Sequence, residues 1–281
     1  MTVDHLGEIA AYYDYTEPFY RRFWHGETGG VHYGLWDSGT KKFRDALLNA
    51  NRFLACAAKI DSSDKILDAG CGVGGSALWL AANTGARVTG ITISRKQLMA
   101  ALGARENRGL ARLLDFQLRD FTRTGLPDAS FDVFWAMESV CHARDKHAVL
   151  NEAYRVLKPG GRIVLADGFL DREPFGGEVK KLGSFYEGLV VPSLARPNDF
   201  ESALADAGFN NIRRWDKTDS ILRSSRRMRW MSLWSWPLSI LTERLGLTPH
   251  LLTANNRAGL DQFDLFSRRV LAYYVFLATK A

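Results

Sequence analysis

His142 and Glu138 close a short run, Glu138-Ser139-Val140-Cys141-His142-Ala143, that follows directly on the apolar stretch Val133–Met137. An imidazole and a carboxylate at the end of a strand can take up, hold or pass on a proton beside a bound ligand. We expect His142 to be the base and Glu138 to orient either that base or a cofactor. A second run, Ile66-Leu67-Asp68-Ala69-Gly70-Cys71-Gly72-Val73-Gly74-Gly75-Ser76, reads as a strand end, a glycine turn and a helix start. Its glycines permit a sharp turn and leave room for a ligand against the backbone. Gly70, Gly72 and Gly75 also satisfy the G-x-G-x-x-G spacing of dinucleotide sites. The next strand, however, ends in Gly90-Ile91-Thr92-Ile93-Ser94, with no acid where an NAD ribose wants one.

The elements that must carry these runs read as a doubly wound α/β core. Strands are expected at Lys65–Ala69, Arg87–Ile91, Asp115–Leu118, Val133–Met137, Arg162–Asp167, Asn211–Trp215 and Val270–Leu277, giving a Rossmann-like seven-stranded mixed sheet. Every parallel strand ends at a motif, as expected where ligands bind at the carboxyl edge of an open sheet. Lys158-Pro159-Gly160-Gly161 reads as a helix stop and turn. The 281 residues suffice for one domain, with a helical cap over 1–60, a ligand-binding core over 61–167, and capping insertions at 168–197 and 217–266. Pro18 is read as restarting the N-terminal helix, and 168–197 as a mobile segment over the site.

Cys56, Cys71 and Cys141 have no metal-ligand spacing and cannot all pair, which suits a reducing cytoplasm. No signal-peptide pattern opens the chain, no apolar run reaches the length of a bilayer span, and no carboxylate or histidine cluster predicts a metal site. Most of the net charge of +6 sits in 213–229, a solvated helix face or a surface for an anionic group or membrane. Beside it, Trp230–Leu241 carries no charge and can line an apolar pocket, lie at a membrane interface or simply pack.

Arg119-Asp120-Phe121 and Leu157-Lys158-Pro159-Gly160-Gly161 stand downstream at spacings that resemble class I S-adenosylmethionine (SAM)-dependent methyltransferases. Glu138–Ala143 is similar to the Glu-Ala-Thr-Cys-His-Ala motif of sterol C-methyltransferases. Gly90–Ser94 with Gln97 resembles sterol and tocopherol methyltransferases and cyclopropane fatty acid synthases, and Tyr12-Tyr13-Asp14 with His32-Tyr33-Gly34 fits the same branch. Sugar O-methyltransferases carry a related Glu-Ser-x-His-His motif. The resemblance implies SAM as cofactor, held by Tyr33, Asp68, Gly70, Gly72, Gly74, Thr92, Ile93, Gln97, Asp120, Phe121 and Glu138. Asp68 would orient the backbone around the methionine end, Gln97 would reach the ribose, and Asp120 and Phe121 would meet the adenine.

The aromatic residues Tyr13, Trp24, Phe185, Tyr186, Trp230 and Trp234 are the expected substrate contacts, suited to a hydrophobic small molecule and to a cationic centre. The leading expectation is methylation of a carbon in an isoprenoid or sterol-like acceptor. O- or N-methylation of a natural product stands beside it, as does a SAM-binding cyclase or binding module. Nucleic-acid modification lacks a flipped-base motif, and peripheral membrane contact through 217–241 stays open.

Overall fold

The structure, a computed structural model, describes residues 5–281. Its first helix, α1 (His5–Phe19), runs through Pro18 and continues as a wide π turn over Tyr20–His25. Pro18 therefore does not restart the helix. Its missing N–H removes one intrahelical bond, and the next turn widens instead of breaking. After α2 (Phe43–Ala57) come β1 (Lys65–Ala69), α3 (Gly75–Thr84), β2 (Arg87–Thr92), α4 (Arg95–Asn107), β3 (Leu114–Leu118) and β4 (Phe131–Met137). Ser94 caps α4, its hydroxyl accepting from the Gln97 N–H. The chain continues through α5 (Lys146–Val156), β5 (Leu157–Leu170), α6 (Gly177–Leu189), α7 (Pro197–Asp206) and β6 (Phe209–Asp216). It ends with α8 (Thr218–Arg244), α9 (His250–Ser267) and β7 (Leu271–Lys280).

One seven-stranded sheet results, ordered β3-β2-β1-β4-β5-β7-β6, in which β7 alone runs antiparallel to its neighbours β5 and β6. Core strands β1 and β4 are buried on both faces, which is why they read as continuous apolar runs rather than alternating ones. One apolar layer packs α3 against the sheet through Leu78 and Leu80, and the other packs α5 through Val149 and Leu150. Strand order reverses at β1, with β2 on one side and β4 on the other. A crevice opens at such a reversal, outside the carboxyl ends of the two strands. Gly70 and Glu138 stand at those two ends.

Two further expectations need correction. β5 starts at Leu157, which pairs with Phe131; the register then slips, so that Arg162 pairs with Val133. Lys158–Gly161 is thus an irregular stretch of strand and not a free turn. The segment 168–197 holds the ordered helix α6. Its Gly188 lies so close to α9 that an added Cβ would stand 2.1 Å from the Ala254 carbonyl oxygen. The insertion expected at 217–266 is an antiparallel helix pair, α8 and α9, in close contact at Gly259 and Ser232.

Candidate active site

The turn after β1 is built by backbone geometry only glycine adopts freely. Gly70, Gly72 and Gly74 have φ of +83°, +56° and +86°. At Gly70 space is also short, because an added Cβ would sit 2.4 Å from the Ser139 Cβ. Gly74 is the N-cap of α3 and faces Phe116, so it shapes the turn without lining a cavity. Asp68 closes the floor. Burial pushes its carboxyl up to about 7, offset by the Ala77 N–H, and its Oδ2 has no hydrogen-bond partner among the described residues. A buried, unpaired carboxyl oxygen calls for a donor. It lines a small recess with Gly29, Gly30, Gly70, Gly72 and Ser76, next to the N-terminus of α3. The ammonium of a methionine moiety is a donor of the right charge, and the residues present fit SAM there.

A larger cavity of about 320 Å³ continues from this recess along the sheet edge. Gly70, Gly72, Thr92, Ile93 and Gln97 line one side of it, and Asp120, Phe121, Glu138 and His142 another. Gln97 is fixed from below, its Oε1 accepting from the Thr92 hydroxyl at 2.8 Å, which leaves its amide N–H groups for a ligand. Asp120 is held by its own turn, accepting from the Thr122 N–H at 2.8 Å and hydroxyl at 2.6 Å.

A second cavity, about 100 Å³, lies on the other side of Glu138 and His142 under α6, α8 and α9. Tyr13, Trp24, Tyr33 and Phe185 line it as four of the aromatic walls. Tyr12, Tyr20, Asn255 and Gln262 add polar edges, the two phenols bonded to each other at 2.9 Å and Asn255 donating to Tyr12 at 2.8 Å. Tyr13, Val31, Glu138 and His142 border both cavities. Among the described residues no lysine or arginine lines the second one.

Glu138 takes a φ of +50°, unusual for a residue with a side chain, as the chain leaves β4. Such strain persists only where the surroundings enforce it. Here its Oε1 accepts from the Tyr33 N–H at 2.7 Å and from the Tyr273 hydroxyl at 2.8 Å. Its Oε2 has no hydrogen-bond partner among the described residues. Cut off from bulk water but open to the cavities, the carboxyl is pushed up to about 8, mainly by burial and further by the charge of Asp167. Asp167 is itself buried and held by the N–H groups of Cys141 and Gly168.

His142 is oriented by the backbone. Its Nδ1 lies 3.2 Å from the Val190 carbonyl, which accepts only, so Nδ1 carries the proton. Nε2 then accepts from the Tyr13 hydroxyl at 2.8 Å. Burial lowers the imidazole to about 4, so it is neutral at ordinary pH and free to take a proton. Val190, at φ +54°, ends α6 and aims that carbonyl.

Three expected substrate contacts fall outside both cavities. Tyr186 packs against the core, while Trp230 and Trp234 stand 58% and 82% exposed on the outer face of α8. The inner face of α8 carries Ser224, Ser225, Ser232 and Ser239; Ser232 meets α9 at Gly259, where only a small side chain fits, and Ser224 bonds the backbone of Gly34 and the Trp36 indole. The basic run does not reach the cavities either: Arg213, Arg223 and Arg227 lie over Trp215, Trp36 and Phe43. Tyr273, Val190 and Asn255 carried no sequence signal; Asp167 was legible only as a strand end and Tyr20 only as one ring of an aromatic segment. Tyr273 and Asn255 lie in elements far along the chain, and only the antiparallel return of β7 and the packing of α9 bring them in.

A family model described as a methyltransferase domain matches residues 67–165. The chain is 33% identical over 208 residues to the 27-O-demethylrifamycin SV methyltransferase of Amycolatopsis mediterranei, covering 74% of this chain and 75% of that one. It belongs to the SAM-dependent methyltransferases. It is also 32% identical over 223 residues to the sterol 24-C-methyltransferase of Eremothecium gossypii, covering 77% of this chain. It spans 57% and 58% of two of the curated relatives it matches, the sterol enzyme being the second. The fold matches that of the cyclopropane synthase MmaA2 from Mycobacterium tuberculosis with a TM-score of 0.85 at 16% identity, covering 99% of both chains. SAM is accordingly this chain's cofactor, and the cavity along the glycine turn is where the residues fit it.

Proposed function

We propose that this methyltransferase acts on a neutral, predominantly apolar natural product and methylates a hydroxyl oxygen. The observation that carries this reading is the seam where the two cavities meet. Tyr13, Glu138 and His142 border both; beyond them the walls are aromatic and aliphatic, with the polar edges Tyr12, Tyr20, Asn255 and Gln262, one buried acid, Asp167, and, among the described residues, no cation to hold a phosphate or carboxylate. The tyrosine and amide groups around Asn255 suit an acceptor that carries oxygen. Similarity to the 27-O-demethylrifamycin SV methyltransferase supports the same class.

SAM, when bound, supplies an electrophilic methyl group on a sulfonium sulfur. The protein's part is to align the acceptor with that carbon and to keep water away. Tyr13 gives its proton to His142 Nε2 and so presents its oxygen to a hydroxyl in the second cavity. With SAM supplying the methyl group, the acceptor hydroxyl's proton would pass to Tyr13 and the Tyr13 proton to His142 Nε2. An imidazole with a pKa of about 4 is basic enough for this, because an oxygen gaining a methyl group becomes strongly acidic. Glu138, ionised, balances positive charge at the seam.

Carbon methylation is the second reading, favoured by the ring faces around the seam, which stabilise a cation. Incubation with methyl-labelled SAM and a panel of neutral polyketide aglycones, sterols and prenyl diphosphates, read by mass spectrometry and carbon NMR, separates them. A methoxy signal is expected. A C-methyl product with a shifted double bond would replace the first reading by the second, and turnover of diphosphates alone would overturn both.

A further inference from the structure

Helix α8 is amphipathic with its faces reversed. Its buried positions are Thr218, Ile221, Ser224, Ser225, Ser232 and Ser239, while Trp230, Leu233, Trp234, Leu238 and Leu241 stand exposed. The exposed stripe continues past the helix end through Leu245 and Leu247, the last of them 70% exposed. Soluble helices place such residues inward, and a contiguous apolar patch of this kind marks a binding surface. Phe19 and Phe23 extend it on the turn after α1, where Arg227 donates to the Phe23 carbonyl.

Past the first turn of α8, where exposed Asp219 pairs with Arg269, the charge on this face has one sign. From Arg223 to Leu247 the exposed positions include Arg223, Arg226, Arg227 and Arg244 and no carboxylate. Glu243 is half-buried and bonded to His250. A symmetric contact with a second copy would set arginine against arginine across an apolar patch. An anionic phospholipid surface complements both properties, taking the indoles and leucines at the headgroup boundary and the arginines at the phosphates. Among the described residues no helix is long and apolar enough to cross a membrane, so the contact is lateral.

We infer that the outer face of α8, with Phe19 and Phe23, docks on an anionic phospholipid surface. The walls of the acceptor cavity carry the same face: Met228 of α8 and Tyr20 and Trp24 of the π turn line the cavity, their exposed neighbours facing out. Docking would therefore bring that cavity to the bilayer. That this serves the uptake of an apolar acceptor rests on the reading above; the surface itself stands on exposure and charge.

The test is co-sedimentation of the full chain with phosphatidylglycerol–phosphatidylcholine vesicles and with phosphatidylcholine alone. Binding to the anionic vesicles is expected, weakened by salt. The pair Trp234→Ser and Leu238→Ser should reduce it at least about tenfold. Arg226→Gln with Arg244→Gln should reduce it about tenfold. SAM affinity by calorimetry should be unchanged in both variants, which shows that they are folded and keeps the methyl-transfer reading separate. Failure of the wild-type chain to sediment with either vesicle overturns the inference. So does undiminished binding by the serine pair, or a dimer in sedimentation analysis that Trp234→Ser dissociates.

Discussion

Raising the pH from 7 to 9 should tighten SAM binding, and Glu138→Gln should remove most of that gain. Burial holds Glu138 at about 8 in the protein without SAM, so at pH 7 the carboxyl is mainly protonated, and ionising it costs about 1.4 kcal/mol, one pH unit's worth. A sulfonium cation at the seam favours the ionised form, so a proton leaves as SAM binds. Affinity then climbs with pH until Glu138 ionises unaided near 8, a gain of about tenfold between pH 7 and 9. Asp68, at about 7, adds a gain of about twofold at the methionine end. S-adenosylhomocysteine separates the two, because it shares the methionine end but has a neutral sulfur. Its affinity should show the Asp68 part alone. In Glu138→Gln, where the amide oxygen can still accept from Tyr33 and Tyr273, SAM should follow the same shallow profile. Calorimetry across this pH range, in buffers of differing ionisation enthalpy, reads both affinity and proton release. Equal pH dependence for SAM and its neutral product, or an unaltered slope in the variant, would refute the placement of Glu138 beside the transferred methyl.

Other outcomes follow from the same geometry. His142→Ala and Tyr13→Phe should each cut kcat by about a hundredfold or more with SAM affinity within severalfold; a large loss of SAM binding instead would assign the pair to the cofactor. Asp120→Ala should weaken SAM binding, and unchanged affinity would remove Asp120 from the adenine end. Gly75→Ala should cost about 1–3 kcal/mol in urea denaturation, since its Cβ would stand 2.3 Å from the Gly29 carbonyl oxygen; wild-type stability would contradict that contact. In the unliganded chain the contribution of Glu138 to stability should fall as pH rises from about 4.5 to 8, because folding raises Glu138 above its ordinary carboxyl range and the folded state holds that proton longer. Glu138→Gln should gain on the wild type across that window, and a constant difference between them would argue against the raised carboxyl.

Local sequence determined the cofactor half of the molecule. Asp68, the glycines, Gln97 and Asp120 each lie within a few residues of a strand end, so the α/β pattern alone sets them along one edge of the sheet. Glycine at 70, 72 and 74 is legible because few other residues tolerate those backbone angles. The acceptor half was decided by tertiary packing. Helical periodicity cannot say which face of α8 turns inward; contact with α9 at Gly259 and with the loop at Gly34 and Trp36 set serines inside, and Trp230 and Trp234 face out. Tyr273 reaches Glu138 because β7 inserts antiparallel beside β5, a pairing between residues more than a hundred positions apart. His142 was legible as a titratable group at a strand end. Its protonation state was not, since that depends on burial, on the Val190 carbonyl and on Tyr13, brought together only when the terminal helix and α6 close over the sheet.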